Sequence, residues 1–158
     1  MTQERVEVPG WGLLPCCAFG SSPGLQERLA ALVIAGRKRA TVWDGREANP
    51  TEPGMRWAVR VGVRPVAVME TVAVGRRRFV EIDAAFAALE GEGDGSLRFW
   101  QLAHEAYFGA SGAFDPEMWL WWEEFRLVAV IDAELAAAAP GHVAAEEAEA
   151  REMLAARG

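Results

Sequence analysis

This chain of 158 residues lacks long apolar runs. Its longest uncharged apolar stretches, residues 29–35 and 118–122, are far shorter than the roughly 20 residues of a membrane-spanning helix. The first ten residues carry Glu4, Arg5 and Glu7 and no apolar segment of a secretory signal. We therefore expect a protein that does not cross a membrane and that resides in the cytoplasm.

Cysteine is equally scarce, and its placement excludes several classes of small protein. Cys16 and Cys17 are adjacent, which disfavours a disulfide between them and leaves no Cys/His set for zinc. Hydrophobic residues make up 51% of the chain, enough for one core of ordinary size. The composition therefore predicts a single globular domain.

The net charge of −7 opposes non-specific binding to long polyanions, because counterion release requires clustered positive charge. Part of the excess is local, since residues 133–158 hold five Glu and only two Arg. A basic groove elsewhere in the fold stays compatible with this composition.

Hydrophobic periodicity predicts helices mixed with short strands. The predicted helices cover residues 22–36, with Ser22 as N-cap, residues 84–89, and a segment that begins at Ser96. The predicted strands cover residues 40–43, 55–61, 65–74 and the apolar segment that ends at Ile131, with Arg76 to Arg78 read as a solvated turn. This pattern favours an α+β fold of five to six strands, as a small β-barrel or a curled mixed sheet with flanking helices.

Residues 133–158 are rich in Ala and Glu and are interrupted by Pro140 and Gly141. Their apolar stripe is thin, which predicts a helical tail that is loosely docked or that contacts a partner, including a second copy of the chain. We divide the chain into an N-terminal extension (1–18), a central domain (19–132) and this acidic tail (133–158).

Lysine is the rarest charged residue, because 15 of the 16 basic residues are Arg and only Lys38 is Lys. A lysine amine can act as a base when its pKa is lowered, whereas arginine stays protonated. Arg37 and Arg39 flank Lys38 and would lower its pKa, whereas the nearby C-terminus of the preceding helix would raise it again. Thr41 follows three residues later, so a lysine-activated hydroxyl is one interpretation, and an ordinary strand threonine is the other.

An acidic glycine loop supplies the carboxylates. Glu90, Glu92 and Asp94 alternate with glycines that let the backbone approach a ligand or a hard cation. Glu92 and Asp94 are the candidate metal ligands, although no complete EF-hand pattern is present. The alternative is a solvated loop with Glu90 turned inward.

Seven tryptophans suggest a stacking site for a base. Most belong in the core, but one or two could stack a base beside arginines, as in nucleoside and single-stranded nucleic-acid sites. His104 lies among apolar neighbours and is predicted to be a core histidine.

Together these segments resemble the ASCH domain family. The resemblance runs from about residue 19 to residue 131 and rests on the motif G-x-K-x-x-T at 36–41 and the loop E-G-E-G-D-x-S at 90–96. It implies a PUA-like β-barrel with a cleft between barrel and helices, suited to RNA or a modified nucleoside.

The resemblance also implies roles for single residues. Lys38 would be the base, Thr41 the nucleophile and Glu90 the proton shuttle of an amidohydrolase that removes an acyl group from the exocyclic nitrogen of cytidine. The residues expected to contact substrate are Arg37, Arg39, Trp43, Arg56, Glu92, Ser96 and Trp100. Arg56 departs from the acidic residue of many relatives.

Two other readings of this resemblance are a non-catalytic RNA-binding module and a metal-assisted ribonuclease. Only the ribonuclease would require a divalent cation, and no cofactor is expected for the amidohydrolase.

Overall fold

The structure, a computed structural model, describes residues 4–157 as a mixture of strands and helices. Its strands are β1 (Arg5–Val8), β2 (Gly12–Cys17), β3 (Ala40–Asp44), β4 (Arg56–Val61), β5 (Arg64–Arg78) and β6 (Trp119–Val130). Its helices are α1 (Pro23–Ile34), α2 (Ala84–Glu90), α3 (Leu97–Ala110) and α4 (Ala133–Arg157), with a 3-10 turn at Phe79–Glu81.

The six strands form one sheet in the order β1-β2-β4-β5-β6-β3. Only β2 and β4 pair in parallel, and the other neighbouring strands are antiparallel. The α+β class and the strand count are confirmed, but the described strands make an open sheet instead of the predicted barrel. The hairpin of β1 and β2 extends the β4 edge, where β3 would have to pair for the sheet to close.

Strand β5 is longer than predicted. It pairs with β6 from Ala67 opposite Val130 to Arg78 opposite Trp119, so Arg76 to Arg78 belong to a strand and the predicted turn was wrong. The physical reason is the partner strand, because cross-strand packing against aromatic residues outweighs the weak strand preference of arginine.

The core lies between the sheet and the helices. Helix α1 begins at the predicted cap, where Ser22 Oγ accepts a hydrogen bond from Leu25 N at 3.3 Å. Its buried face, which includes Val33, packs with Trp57 of β4 and Phe125 of β6 in the same apolar region. A second cluster around Trp100 joins α2 and α3 to β3 and β6.

Helix α4 corrects the prediction for the tail. It runs unbroken through Pro140 and packs on α1, with Leu135 and Ala139 in the main core. Arg28 of α1 donates to His142 Nδ1 at 3.1 Å and also pairs with acidic side chains of α4. The small alanines let the two helices approach closely, a contact that a search for large apolar residues does not find. No helix within residues 4–157 is long and apolar enough to cross a membrane.

Candidate active site

Lys38 reaches the interior because the chain turns sharply after α1. Gly36 adopts a φ of +77°, and the amides of Arg37 and Lys38 both donate to Leu32 O, at 2.9 and 3.0 Å. The Lys38 side chain is only 1% exposed, and its Nζ donates to Ala40 O at 2.9 Å, at the start of β3. The single lysine is therefore a buried cation.

The acidic glycine loop brings two carboxylates to this cation. Lys38 Nζ lies 2.7 Å from Glu92 Oε2 and 3.4 Å from Glu90 Oε2. Gly91 and Gly93 have φ values of +68° and +62°, a conformation that glycine adopts without strain. These left-handed positions allow Glu90, at the end of α2, and Glu92, in the loop, to face the same ammonium.

Arg37 stabilises this loop from the other side. Its guanidinium donates to Gly91 O and to Gly93 O, both at 3.1 Å, and it forms an ion pair with Glu147 of α4. Arg37 therefore positions the loop, and its predicted contact with substrate stays a prediction.

The protonation states follow from burial and from these contacts. Burial raises the pKa of Glu90 to about 8, against the opposing influence of the Lys38 ammonium. Burial also acts to raise the pKa of Glu92, but Lys38 and a hydrogen bond with Glu90 outweigh it and lower that pKa to about 2. At neutral pH Glu90 is therefore a carboxylic acid and Glu92 a carboxylate.

The pKa of Lys38 corrects a prediction. Burial acts to lower it, but Glu90 and Glu92 together raise it above the ordinary lysine value. The lowering expected from Arg37 and Arg39 does not occur, because two carboxylates face the ammonium at short range. Lys38 is protonated in the unliganded site.

His104 of α3 is mostly buried and packs on Trp100, as the sequence suggested, but it also lines the cleft beside the cluster. Its Nδ1 lies 2.8 Å from Trp100 O, and since a carbonyl only accepts, Nδ1 carries the proton and Nε2 is an acceptor. Burial lowers the pKa of His104, which keeps the ring neutral. Nε2 lies 3.7 Å from Glu90 Oε1.

An open cleft of about 1280 Å³ lies above this cluster. It is lined by Thr41 and Trp43 of β3, by Glu90, Glu92 and His104, and by the segment around Phe19 that precedes α1. The structure thus brings five polar or aromatic candidates to one cleft, with Lys38 buried beside Glu90 and Glu92.

The Glu90 carboxyl group also interacts with Trp100, which acts to lower the pKa of Glu90 against the larger effect of burial. Within residues 4–157, Glu90 Oε1 and Trp100 Nε1 are buried polar atoms that make no hydrogen bond of ordinary geometry. Trp100 is 2% exposed and stacks on His104 at 4.2 Å between ring centroids, so it supports the site from below instead of stacking a substrate base.

Three further predicted contact residues lie outside the lining of the cleft. Ser96 caps α3, where its Oγ accepts from Phe99 N at 3.1 Å. Arg56 of β4 forms an ion pair with Glu70 of β5 at 3.1 Å, and the Arg39 side chain is exposed. These side chains have structural or surface positions because their strands and caps direct them away from the cleft.

The two candidate metal ligands do not converge. Glu92 lines the large cleft, whereas Asp94 lines a separate cavity of about 440 Å³ beside Arg37 and accepts from Ser96 N at 2.9 Å. In the described part of the chain, no group of three His, Cys, Asp or Glu side chains could hold a metal ion. The turn at Gly93 separates the two carboxylates.

A buried hydrogen-bond chain was missed by the sequence analysis. Trp57 Nε1 donates to Thr51 Oγ1 at 2.9 Å, the two hydroxyls of Thr51 and Thr71 lie 2.7 Å apart, and Thr71 donates to Glu123 Oε2 at 2.7 Å. Glu123 lies opposite Thr41 in the pairing of β6 with β3. Burial raises the pKa of Glu123 against the effects of the Thr71 hydrogen bond and of Lys38.

The alternation of side chains along β6 could have identified Glu123 as a buried residue. In a strand, residues two apart point to the same face, so Glu123 shares the face of Phe125 and Leu127. A carboxylate at an apolar-face position predicts a buried, hydrogen-bonded group.

The fold and the site define an α+β domain with a buried cluster of Lys, two Glu and His beside one open cleft. Residues 15–129 match the ASCH domain family, and the chain belongs to this family. The family is generally linked to RNA binding and to the PUA-like fold, so the resemblance seen in the sequence is confirmed.

Two solved structures are similar to this chain. An ASCH domain from Lactobacillus crispatus JV V101 has 26% sequence identity and a TM-score of 0.67, over 72% of this chain and 79% of that one. A protein from Enterococcus faecalis V583 has 27% identity and a TM-score of 0.63, over 73% of this chain and 80% of that one. No curated protein sequence matches this chain.

Proposed function

We propose that this protein hydrolyses a nucleoside amide, removing an acyl group from the exocyclic amine of a cytidine-like base. The observation that carries the proposal is Glu90, a buried carboxyl group in the wall of an open cleft, whose raised pKa favours the acid form at neutral pH. Such a group can protonate a departing amine, which is the difficult part of amide cleavage.

Thr41 is the proposed nucleophile and Lys38 its base. Because Lys38 is an ammonium at rest, it first passes one proton to Glu92, whose Oε2 lies 2.7 Å away. This transfer runs against the raised pKa of Lys38 and the lowered pKa of Glu92, so it depends on the loss of water from the cleft when substrate binds, which favours the neutral pair. The neutral amine then takes the Thr41 hydroxyl proton as Oγ1 bonds to the acyl carbon. Glu90 gives its proton to the exocyclic nitrogen as the carbon–nitrogen bond breaks, and the base departs with a free amine.

The second half of the reaction restores the site. A water gives a proton to the Glu90 carboxylate and attacks the acyl carbon, and the ester bond to Thr41 breaks. Lys38 returns a proton to the Thr41 oxygen, and Glu92 then returns its proton to Lys38. The products are the free acid and the amine, and every side chain regains its starting protonation.

The walls of the cleft support a nucleoside as the ligand. Trp43 is half-buried in the wall and offers an aromatic face to a base. Arg46 is the lining cation, but it is paired with Asp44 at 2.7 Å and lies beside Glu47. A group without phosphates therefore suits the cleft better than a polyphosphate does.

The direct test is an assay of the purified protein against N4-acetylcytidine and against a short single-stranded RNA, each with EDTA or Mn²⁺. We expect release of acetate that persists in EDTA. Cleavage of RNA only with Mn²⁺ would instead support the ribonuclease, and RNA binding without either reaction would support a non-catalytic module.

Substitutions of Thr41 are expected to distinguish a nucleophilic role of this residue from a purely structural one. Thr41→Val keeps the shape of the strand residue but removes the hydroxyl, and we expect kcat to fall by a factor on the order of 10⁴. Thr41→Ser retains the hydroxyl and should keep measurable activity. Equal activity of the Val and Ser variants in the acetate-release assay would exclude Thr41 as the nucleophile.

Activity should also depend on the Glu90 proton. Because the pKa of Glu90 is about 8 and the acid is the active form, kcat/KM should decline as pH rises above about 8. Glu90→Gln cannot give up a proton, so we expect kcat to fall roughly 10²- to 10⁴-fold and the alkaline decline to vanish. A profile that keeps the same alkaline decline in Glu90→Gln would assign the titration to another group.

A further inference from the structure

Five planar side chains form a continuous stack at one end of the sheet. In order they are Trp43, Trp121, Arg76, Trp119 and Arg78, and we call this set the Arg–Trp ladder. Trp43 and Trp121 stack at 6.3 Å between centroids, with an angle of 24° between their planes. The Arg76 guanidinium carbon lies 5.4 Å from the Trp121 ring and 5.1 Å from the Trp119 ring, and that of Arg78 lies 4.7 Å from Trp119.

The Arg–Trp ladder is continuous with the cleft. Its first member, Trp43, lines the cleft wall, and Trp121 Nε1 donates at 2.9 Å to the carbonyl of Glu47, another lining residue. From this point the ladder follows β5 and β6 away from the cluster around Lys38. A ligand in the cleft that continued past Trp43 would therefore lie along the two arginines.

The arginines of the ladder are held in place but are not neutralised. Arg76 is exposed and forms no ion pair within residues 4–157, and its one hydrogen bond to protein is a long one to Gly45 O at 3.4 Å. Arg78 pairs with Glu117 at 3.3 Å, but both side chains are solvent-exposed, so this pair is weak. Stacking between tryptophan rings fixes the Arg76 plane and leaves its N–H groups available to an anion.

The spacing suits a repeating anion. Arg76 and Arg78 are two residues apart on one strand, so they share a face at a separation of about 6.6 Å. The rings of Trp119 and Trp121 are already covered by guanidinium groups. The ladder therefore offers charged edges to a phosphate backbone and leaves Trp43 to stack a base. This combination of a cationic track and an aromatic platform is that of single-strand binding sites.

We propose that the Arg–Trp ladder binds the phosphate backbone of single-stranded RNA, so that the nucleoside in the cleft is part of an RNA strand. The location of the reacting base rests on the proposed function, whereas the backbone contact does not. The net charge of −7 opposes RNA binding elsewhere on the surface, which predicts few phosphate contacts and a modest slope of affinity against salt.

The test measures binding of a fluorescent single-stranded RNA of 12 nucleotides by anisotropy over a series of salt concentrations. The double variant Arg76→Gln/Arg78→Gln removes two proposed phosphate contacts, which should lower the slope of log affinity against log salt by about 1.4. The variant Arg76→Lys/Arg78→Lys keeps the charge but loses the planar stack. Its affinity for RNA should lie between that of the wild type and that of the double Gln variant. Arg5→Gln is the matched control, an exposed strand arginine on β1 at the opposite edge of the sheet.

The outcomes separate this proposal from the hydrolase. A double variant that binds RNA with the same slope as Arg5→Gln overturns the ladder proposal, as does a wild-type protein that releases acetate from N4-acetylcytidine but binds no RNA. If RNA affinity falls in the double variant and wild-type protein releases no acetate from N4-acetylcytidine or from an RNA that contains it, the ladder is supported and the hydrolase is rejected. Circular dichroism of each variant confirms that lost binding does not arise from unfolding.

Discussion

Replacing Lys38 by methionine is expected to lower the free energy of unfolding by about 3–5 kcal/mol at pH 8 and to abolish amide hydrolysis. Methionine matches the length of the buried stem but removes the cation that faces Glu92 at 2.7 Å and Glu90 at 3.4 Å. The two carboxyl groups then remain close together in the interior without a counter-charge. Urea unfolding of the variant and of the wild type gives the difference directly.

The same substitution should respond to pH in a defined direction. Without Lys38, the pKa of Glu90 rises further and the pKa of Glu92 rises from its lowered value, so the folded state holds protons that the unfolded state releases above about pH 4.5. Stability then falls as pH rises, and the loss caused by Lys38→Met should be larger at pH 8 than at pH 5. An equal loss at both values would contradict the assigned charges.

Two control variants sharpen this experiment. Arg64→Met breaks an ion pair with Asp132 whose arginine is about half-exposed, and we expect a much smaller loss of stability. Lys38→Arg keeps a positive charge but offers no amine that can lose a proton, so it should restore part of the stability and none of the activity. Full activity in Lys38→Arg would reject Lys38 as the base.

The second large effect is expected from Gly91→Ala in the acidic loop. A Cβ at this position would lie 2.1 Å from Arg37 O, a backbone atom that cannot rotate away, and the φ of +68° is unfavourable for alanine. We expect a loss of about 3 kcal/mol or more in the free energy of unfolding, from left-handed strain and steric overlap together. Because Arg37 precedes Lys38, the displaced backbone should also disturb the cluster and lower kcat.

Gly95→Ala is the matched control for this loop. Gly95 has a φ of +79°, but its Cβ would meet only Arg37 Nη2, at 3.8 Å, which is an ordinary contact. The strain alone should cost about 1 kcal/mol. If Gly91→Ala and Gly95→Ala lower the free energy of unfolding in urea by the same amount, the close approach of the loop to Arg37 does not contribute to the effect of Gly91→Ala.

Local features of the fold were predictable because they depend on neighbours in the sequence. Ser22 and Ser96 each cap a helix through an oxygen that accepts a nearby amide, a contact that spans only three residues. The alternation of β4 and the apolar run of β6 were likewise recognisable from their periods. The pairing partners of these strands were not, because residues of one sheet lie far apart along the chain.

The packing of helix α4 could not be predicted from the sequence either, because it also depends on a partner far away along the chain. Pro140 and a shortage of large apolar residues predicted a break and a loose contact, yet α4 is continuous and packs on α1. Alanine carries little hydrophobic signal in a sequence, but its small size permits close packing once a partner surface is present. Only the position of α1 in the fold made that surface available.

Residue identity and spacing were enough to show which groups could carry chemistry: one lysine among fifteen arginines, a threonine three residues later, and carboxylates set between glycines. They also identified the family, since these motifs recur in a fixed order. The tertiary structure decided the state of those groups, because protonation depends on burial and on charges within a few ångströms. It made Lys38 a cation, Glu90 an acid and Arg37 a clamp, since all three properties arise from contacts between segments about 50 or more residues apart.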